Sequence, residues 1–552
     1  MVTALLLLVG TSASAQIVML VQEPANLAGS YNFTYSSSNG WGADMDTISI
    51  TAPAAFAYDD GNFSGPLGAA GDSAVCGDVV NRSEIDGKIA VLYRGGCEFS
   101  QKAVNVQDSG AVALVIINNI PGAPVGMGGG VAASDVTIPV VMISDADGAA
   151  LRDSIMEGSV ELFLGNNTGL YDNNIGSYKP NVGGANSYSI PAQFAQTSSD
   201  FSVPVGAWVY NFGNEEATNA LVSAAIDRDG TEVYNETSSG VNIPVGDSAF
   251  FALPEYAEDG YEEGVYTITY TIVEDNTDEF PNDNEVTSSF WINGQGIYSK
   301  STVDPDEGPL GGNGIRPADD EEYQWCIVME SENAEELQIT GMTFATLTND
   351  FSLEGEAVQL AVFEWNDPIT GGQVSFDDLN EVTDNEFYDY TEDLQDEFIT
   401  HTFAEPVELL NDQKYLGCVT VFTEDMFLSG DAGLDYNVMY ETYVDEVFFP
   451  VNGDNNGDWF PGGFGTDNVP SITINLESAN GIAEDIEARD VTPYPNPTVD
   501  FITIPMGSTI NGEVTVDVFD VKGTLVLSEN ICQKSDKLRL DVQGLSSGLH
   551  TF

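Results

Sequence analysis

The chain has 552 residues, too many for one hydrophobic core, and at ~100–200 residues per domain the length predicts about three to five domains. Its 88 acidic and 15 basic residues give a formal net charge of −73, which excludes nucleic acid and anionic membrane surfaces as partners. Hydrophobic residues at 42% and aromatic ones at 10% are enough for packed cores and exclude wholesale disorder. Self-repulsion at this charge is tolerable where salt screens it. At sea-water salt the Debye length is about 4–5 Å, so a saline setting or bound divalent cations are expected.

Ala4–Gly10 (ALLLLVG) is an apolar run too short to span a bilayer, and Ala13-Ser14-Ala15 is a small-residue cleavage signal before Gln16. Residues 1–15 are therefore expected to be a signal peptide, although no Lys or Arg precedes the run. No other stretch is apolar enough for stable membrane insertion.

Residues 16–165 read as a first, α/β unit. Lys88–Arg94, Ala113–Ile117 and Ile138–Ile143 are short apolar runs that suit buried strands. Ser100–Ser109, stopped by Gly110, and Asp145–Glu157, with Ser144 as N-cap and Gly158 as stop, read as helices. Asp86-Gly87-Lys88-Ile89-Ala90-Val91-Leu92-Tyr93-Arg94-Gly95-Gly96-Cys97-Glu98-Phe99 resembles the core of the protease-associated (PA) domain. So do Lys102-Ala103, Gln107–Ala113, Ile116–Asn119 and Ile138–Ser144, in the same order over ~80 residues. The resemblance implies the fold and a pairing of Cys76 with Cys97, but no catalysis; such domains accompany peptidases and receptors, where they shape access or bind peptides. Gly87, Gly95 and Gly96 are read as turn residues, and Arg94, which could meet a carboxylate ligand, is read instead as a partner in a surface ion pair. Gly126–Gly130 (GMGGG) lacks the G-K-[ST] ending of a phosphate loop.

Residues 185–292 alternate with a period of two, most clearly in Gly264–Val273 (GVYTITYTIV), and Asp229-Gly230 is a hairpin turn signal. Together with Gly206–Asn214 and Asp278–Val286 they resemble adhesion-type immunoglobulin-like β-sandwiches of bacterial exoproteins. Residues 296–476, with Val358–Phe363, Glu408–Leu410 and Tyr415–Phe422 as strands and Asn411-Asp412 as a turn, are expected to form a second, jelly-roll-like sandwich. Trp325, Trp365 and Trp459 lie there, either filling the core or stacking on sugar rings. Residues 477–490 are a polar, acidic linker.

In 491–552, Tyr494-Pro495-Asn496-Pro497, Val516–Gly523 and Leu545-Ser546-Ser547-Gly548-Leu549 resemble the type A sorting domain of the type IX secretion system of Bacteroidetes exoproteins. This implies a small C-terminal β-sandwich, engagement with the type IX secretion machinery and a secreted or outer cell-surface location. His550 stands where an aromatic residue is usual and the chain stops at Phe552, which reads as a truncated domain.

The five cysteines show no C-x-x-C spacing, so zinc and thioredoxin-type sites find no support. In an exported chain pairing is the default. Cys76 with Cys97, close in sequence, and Cys326 with Cys418 are the expected disulfides, leaving Cys532 over. Only two histidines occur, His401 and His550, without H-E-x-x-H or G-x-S-x-G, so no catalytic residue is nominated and His401 is read as a strand residue. Asp454, Asn456 and Asp458 alternate as the oxygen ligands of a calcium loop do, and Asp275–Asn284 is a similar acidic cluster, so calcium is the one cofactor expected.

The sequence thus predicts a multidomain, mainly β exoprotein without catalysis, binding extracellular protein, peptide or glycan. The alternatives are a non-catalytic relative of fungalysin-like metallopeptidases, which carry similar PA domains, and a carbohydrate-active hydrolase with its acids in 296–476.

Overall fold

The computed structural model describes residues 15–60, 74–119, 124–311, 313–317, 322–348, 351–368, 374–384, 386–423, 425–431, 433–442, 448–453, 458–479 and, discontinuously, 494–551. Contacts divide the chain into two compact units, 1–480 and 481–552.

The first sheet is built from β1 (Ile17–Glu23), β2 (Phe33–Tyr35), β3 (Ser49–Phe56), β4 (Ile89–Tyr93), β5 (Ala113–Ile117), β6 (Val140–Ile143) and β7 (Glu161–Asn166), with α1 (Phe99–Gln107) and α2 (Asp145–Met156) in the connections. Its order is Gly29–Ser30, β1, β7, β3, β4, β5, β6, β2, and β3 to β6 run parallel. Every residue of β4, β5 and β6 is buried, because a parallel sheet with crossover helices is covered on both faces. Ile89, Val91, Val115 and Ile117 pack on one face with Leu151 and Ile155 of α2. Ala90, Leu92, Leu114 and Ile116 pack on the other with Ala103 and Val106 of α1. The expected N-cap of α2 is present: Ser144 Oγ accepts Asp147 N at 3.0 Å.

Beyond β7 the described residues are mainly β, with one short α-helix at Asn437–Thr442. We label β8 (Ile175–Gly176), β9 (Ser189–Pro191), β10 (Gly206–Asn211), β11 (Ala217–Arg228), β12 (Thr231–Thr237), β13 (Ser248–Ala252), β14 (Gly264–Val273), β15 (Glu285–Asn293) and β16 (Ile297–Ser299). They are followed by β17 (Tyr323–Met329), β18 (Leu337–Phe344), β19 (Ala357–Trp365), β20 (Glu386–Asp389), β21 (Ile399–Glu408), β22 (Lys414–Val421), β23 (Val451–Gly453), β24 (Asp458–Phe460) and β25 (Thr473–Ser478). Asp229 and Gly230, at φ +46° and +87°, turn β11 into β12 as a hairpin turn of the primed type requires.

One long sheet runs β12, β11, β14, β15, β9, β16, β25, β18, β21. It crosses from 185–292 into 296–476 without a break: β9 pairs with β15 in parallel and with β16 antiparallel, and β16 pairs with β25. The sheet β13, β10, β8 packs over its first half. A second sheet, in the order Leu379–Glu381, β19, β22, β17, β23, β24, with β20 also paired to β19, packs over its second half. The period of two sorts β17 cleanly. Trp325, Ile327 and Met329 face the shared core, while Cys326 and Val328 face outward beneath Trp365 and Trp459.

The C-terminal unit is an antiparallel pair, β26 (Phe501–Asp520) and β27 (Leu525–Asp541), with His550–Thr551 added beside β26. Ile502, Ile504, Val516, Val518 and Leu540 bury its apolar face.

Candidate functional site

Arg94 follows the last residue of β4 and Asn118 the last residue of β5, so both stand at the carboxyl ends of parallel strands, where open α/β sheets bind ligands. Arg94 N donates to Ile117 O at 2.9 Å, which stitches the two strand ends together. The half-buried guanidinium donates from Nη1 to Oδ1 of Asn118 at 3.1 Å. Burial alone pushes its pKa down; no neighbouring carboxylate offsets that. The sequence placed Arg94 in a surface ion pair. Arg82 pairs with Asp78, Arg228 with Glu262 and His401 with Glu386, and among the described residues Arg94 meets no carboxylate in this way. An amide is its partner instead.

The turn after Arg94 is held from three sides. Gly95 and Gly96 adopt φ +113° and +82°, which only glycine takes without strain. Lys102, fully buried on α1, donates from Nζ to Gly95 O and Ala74 O, both at 2.5 Å. The Cys76–Cys97 disulfide, with Cα atoms 5.7 Å apart, ties the preceding segment to the same turn. Glu98 Oε2 accepts Val131 N at 3.0 Å, and Trp41 Nε1 donates to Met127 O at 2.7 Å. The glycine-rich loop is thereby pinned beside the turn, as a wall rather than a phosphate cradle. The whole presents a preorganised cation whose planar fork matches a carboxylate.

The other nominated residues are placed elsewhere. Cys326 and Cys418 stand directly opposite each other on β17 and β22 and form the second disulfide. Trp325 and Trp365 are buried; Trp365, Phe376 and Trp459 stack with centroids 4.9 Å and 4.3 Å apart, covering that disulfide. His401, on β21, meets Oε2 of Glu386 at 2.9 Å, and Oε1 of the same carboxylate accepts Ala404 N at 2.7 Å, so β20 is clamped to β21. Asp454 and Asn456 lie outside the described residues, and Asp458 is exposed at the start of β24. Cys532 faces Glu513 across β26 and β27 in backbone register. Among the described residues no three His, Cys, Asp or Glu side chains are grouped to hold a metal.

Two features escaped the sequence reading. One is a cleft of about 480 Å³ lined in part by Ser187, Phe194, Phe201, Tyr298, Lys300 and Lys414. Lys300 is buried there and donates to Asn186 O at 2.7 Å and Ser187 Oγ at 3.0 Å. No motif announces a lone lysine after a three-residue strand. The other is the set of amides, Gln16, Asn167 and Asn174, that meets Asp283, a residue of the acidic cluster Asp275–Asn284 that the sequence did single out.

Residues 50–151 match the family described as "PA domain", and residues 492–551 match "Secretion system C-terminal sorting domain". The chain carries a PA domain. Its carboxyl-end turn is the site built above, and the sorting domain marks the protein for secretion to the extracellular or cell-surface space through the type IX machinery. Among the described residues no helix is long and apolar enough to cross a membrane. Curated relatives include the ER degradation-enhancing alpha-mannosidase-like protein 3 of Xenopus laevis, 38% identical over 97 residues, or 16% of this chain and 11% of that one. Another is the probable leucine aminopeptidase 2 of Aspergillus fumigatus, 29% identical over 168 residues, or 30% and 33%. Among solved structures, the aminopeptidase from Aneurinibacillus sp. strain AM-1 is 22% identical at a TM-score of 0.19, covering 28% of this chain and 31% of that one. The chain thus spans between about a tenth and a third of the length of these curated relatives.

Proposed function

We propose that this secreted protein is a non-catalytic binding protein whose PA domain engages an extracellular peptide or protein by gripping a carboxylate with Arg94. The observation that carries the reading is the half-buried guanidinium at the strand ends, hydrogen-bonded to a neutral amide and without an ion-pair partner among the described residues. A desolvated cation gains most from a ligand that brings the opposite charge. The relatives' names support a binding module: a mannosidase-like protein and aminopeptidases share a segment with this chain under names of unlike chemistry. The aminopeptidase names also favour a partnership with a peptidase as the setting in which peptides are met.

The test is a peptide panel, each member made with a free or an amidated C-terminus, titrated against the full secreted chain. Free acids should bind at least about tenfold tighter than amides, and Arg94→Met should erase the difference. Equal binding of both forms, or metal-dependent cleavage of casein by the purified protein, would overturn the reading.

A further inference from the structure

Side chains from three regions of the chain meet where β1 begins and β7 ends: Gln16 before β1, Asn167 after β7 and Asn174 before β8, and Asp283 between β14 and β15. Oε1 of Gln16 accepts Nδ2 of Asn167 at 3.0 Å and Nδ2 of Asn174 at 2.9 Å, while its Nε2 donates to Oδ2 of Asp283. The Gln16 amide therefore bridges the other three head groups. Asn167 and Asn174 are 1% and 0% exposed. Oδ1 of each, and Oδ1 of Asp283, are buried oxygens with no hydrogen-bond partner. A side chain at Gly176 would collide with the Asp283 carboxylate, its Cβ lying 1.8 Å from Oδ2, so the backbone there leaves room for that carboxylate alone.

The chemistry of this set is one-sided. All three orphaned atoms are oxygen acceptors, and an unpaired acceptor away from water is costly. Asp278, next to Asp283, is occupied: its Oδ2 accepts Ile175 N at 2.9 Å and its Oδ1 accepts Phe280 N at 2.6 Å. The Asp283 carboxylate lies withdrawn from water beside that of Asp278, and no Lys or Arg offsets the pair. A water molecule offers two protons to three acceptors and leaves the charge uncompensated. A hard cation satisfies oxygens and charge together, and an irregular set of one carboxylate and two amide carbonyls completed by water suits calcium rather than magnesium, which demands near-ideal octahedral geometry.

We propose that this junction is a calcium site in which Oδ1 of Asp283, Asn167 and Asn174 are the protein ligands, so that calcium locks the PA domain onto the first β-sandwich. With a single carboxylate the site belongs to the weak, extracellular range of affinities, about 0.1–1 mM.

The test uses the full chain, stripped with chelator and titrated with calcium chloride against magnesium chloride at matched ionic strength, which separates a site from general screening of a polyanion. Calorimetry should find calcium binding in that range, and thermal unfolding should rise by about 2–4 °C at saturation, with magnesium weaker. Asp283→Asn, which keeps the shape and removes the charge, should weaken that binding by at least about tenfold while leaving the calcium-free melting temperature unchanged or raised. Asn174→Leu, or Asn167→Ser should that chain fail to fold, should act in the same direction. Calcium binding and calcium-dependent melting that match the parent protein in these variants, or an equal response to magnesium, would sink the proposal.

Discussion

Arg94 and Asp283 are the same physical situation with opposite signs. Each is an ionisable group withdrawn from water, bonded to a neutral amide, and not offset by an opposite charge. They differ in how far the sequence reveals them. Basic residues number 15 in this chain, so an arginine in a glycine-rich turn stands out, whereas among 88 acids the sequence marks Asp283 only as one member of the cluster Asp275–Asn284. In a polyanion, the informative acid is the one the fold takes out of the solvated crowd.

The largest expected effect breaks or confirms the acidic half of the pair. Burial makes the fold favour the protonated form of Asp283, so the folded chain holds a proton that the unfolded chain, with an ordinary carboxyl near 4, releases. In calcium-free buffer, stability should therefore fall as pH rises from about 4 to about 8 and then level off, by an amount on the order of 5–6 kcal/mol at most. Thermal melts across that window should show a steeper slope in the parent than in Asp283→Asn, where the partly buried carboxyls of Asp278, Glu274, Asp396 and Asp435 remain.

The basic half is sharpened by loosening the turn without touching the guanidinium. Replacing Cys76 and Cys97 together by serine opens a loop of 21 residues and should cost about 3 kcal/mol in denaturant unfolding of this region. Peptide affinity should fall with it, because Arg94 loses its support. Arg94→Lys keeps the charge but not the planar fork, and should cost about 1–2 kcal/mol of binding in the same titration. Ser144→Ala removes the N-cap of α2 and should cost about 1 kcal/mol of stability with peptide affinity unchanged. A loss of affinity in that variant would mean general loosening of the sheet, not the turn, governs binding.

The PA strands were legible because β4, β5 and β6 are continuous apolar runs of four or five residues, and only a sheet covered on both faces needs that pattern. The alternation of Gly264–Val273 and the Asp229-Gly230 turn were equally direct. The continuity of the long sheet was not legible. It depends on β9 and β16, which have three residues each, too few to show any period. Cys326 and Cys418 were paired from the chain alone, yet their place on the outer face follows from the register of β17 against β22. Asn167 and Asn174 gave no signal at all, since an amide in a loop is the commonest way to make a turn.

That continuous sheet has a consequence for how the molecule meets proteases. The turn between β15 and β16 is held by Oδ1 of Asn293, which accepts Gln295 N and Ile297 N at 3.1 Å and 3.0 Å. On either side of it, β9 clasps both β15 and β16, and β25 clasps β16. A nick at 294–296 cuts the thread but not the weave, and the two fragments should migrate together until denaturant parts them.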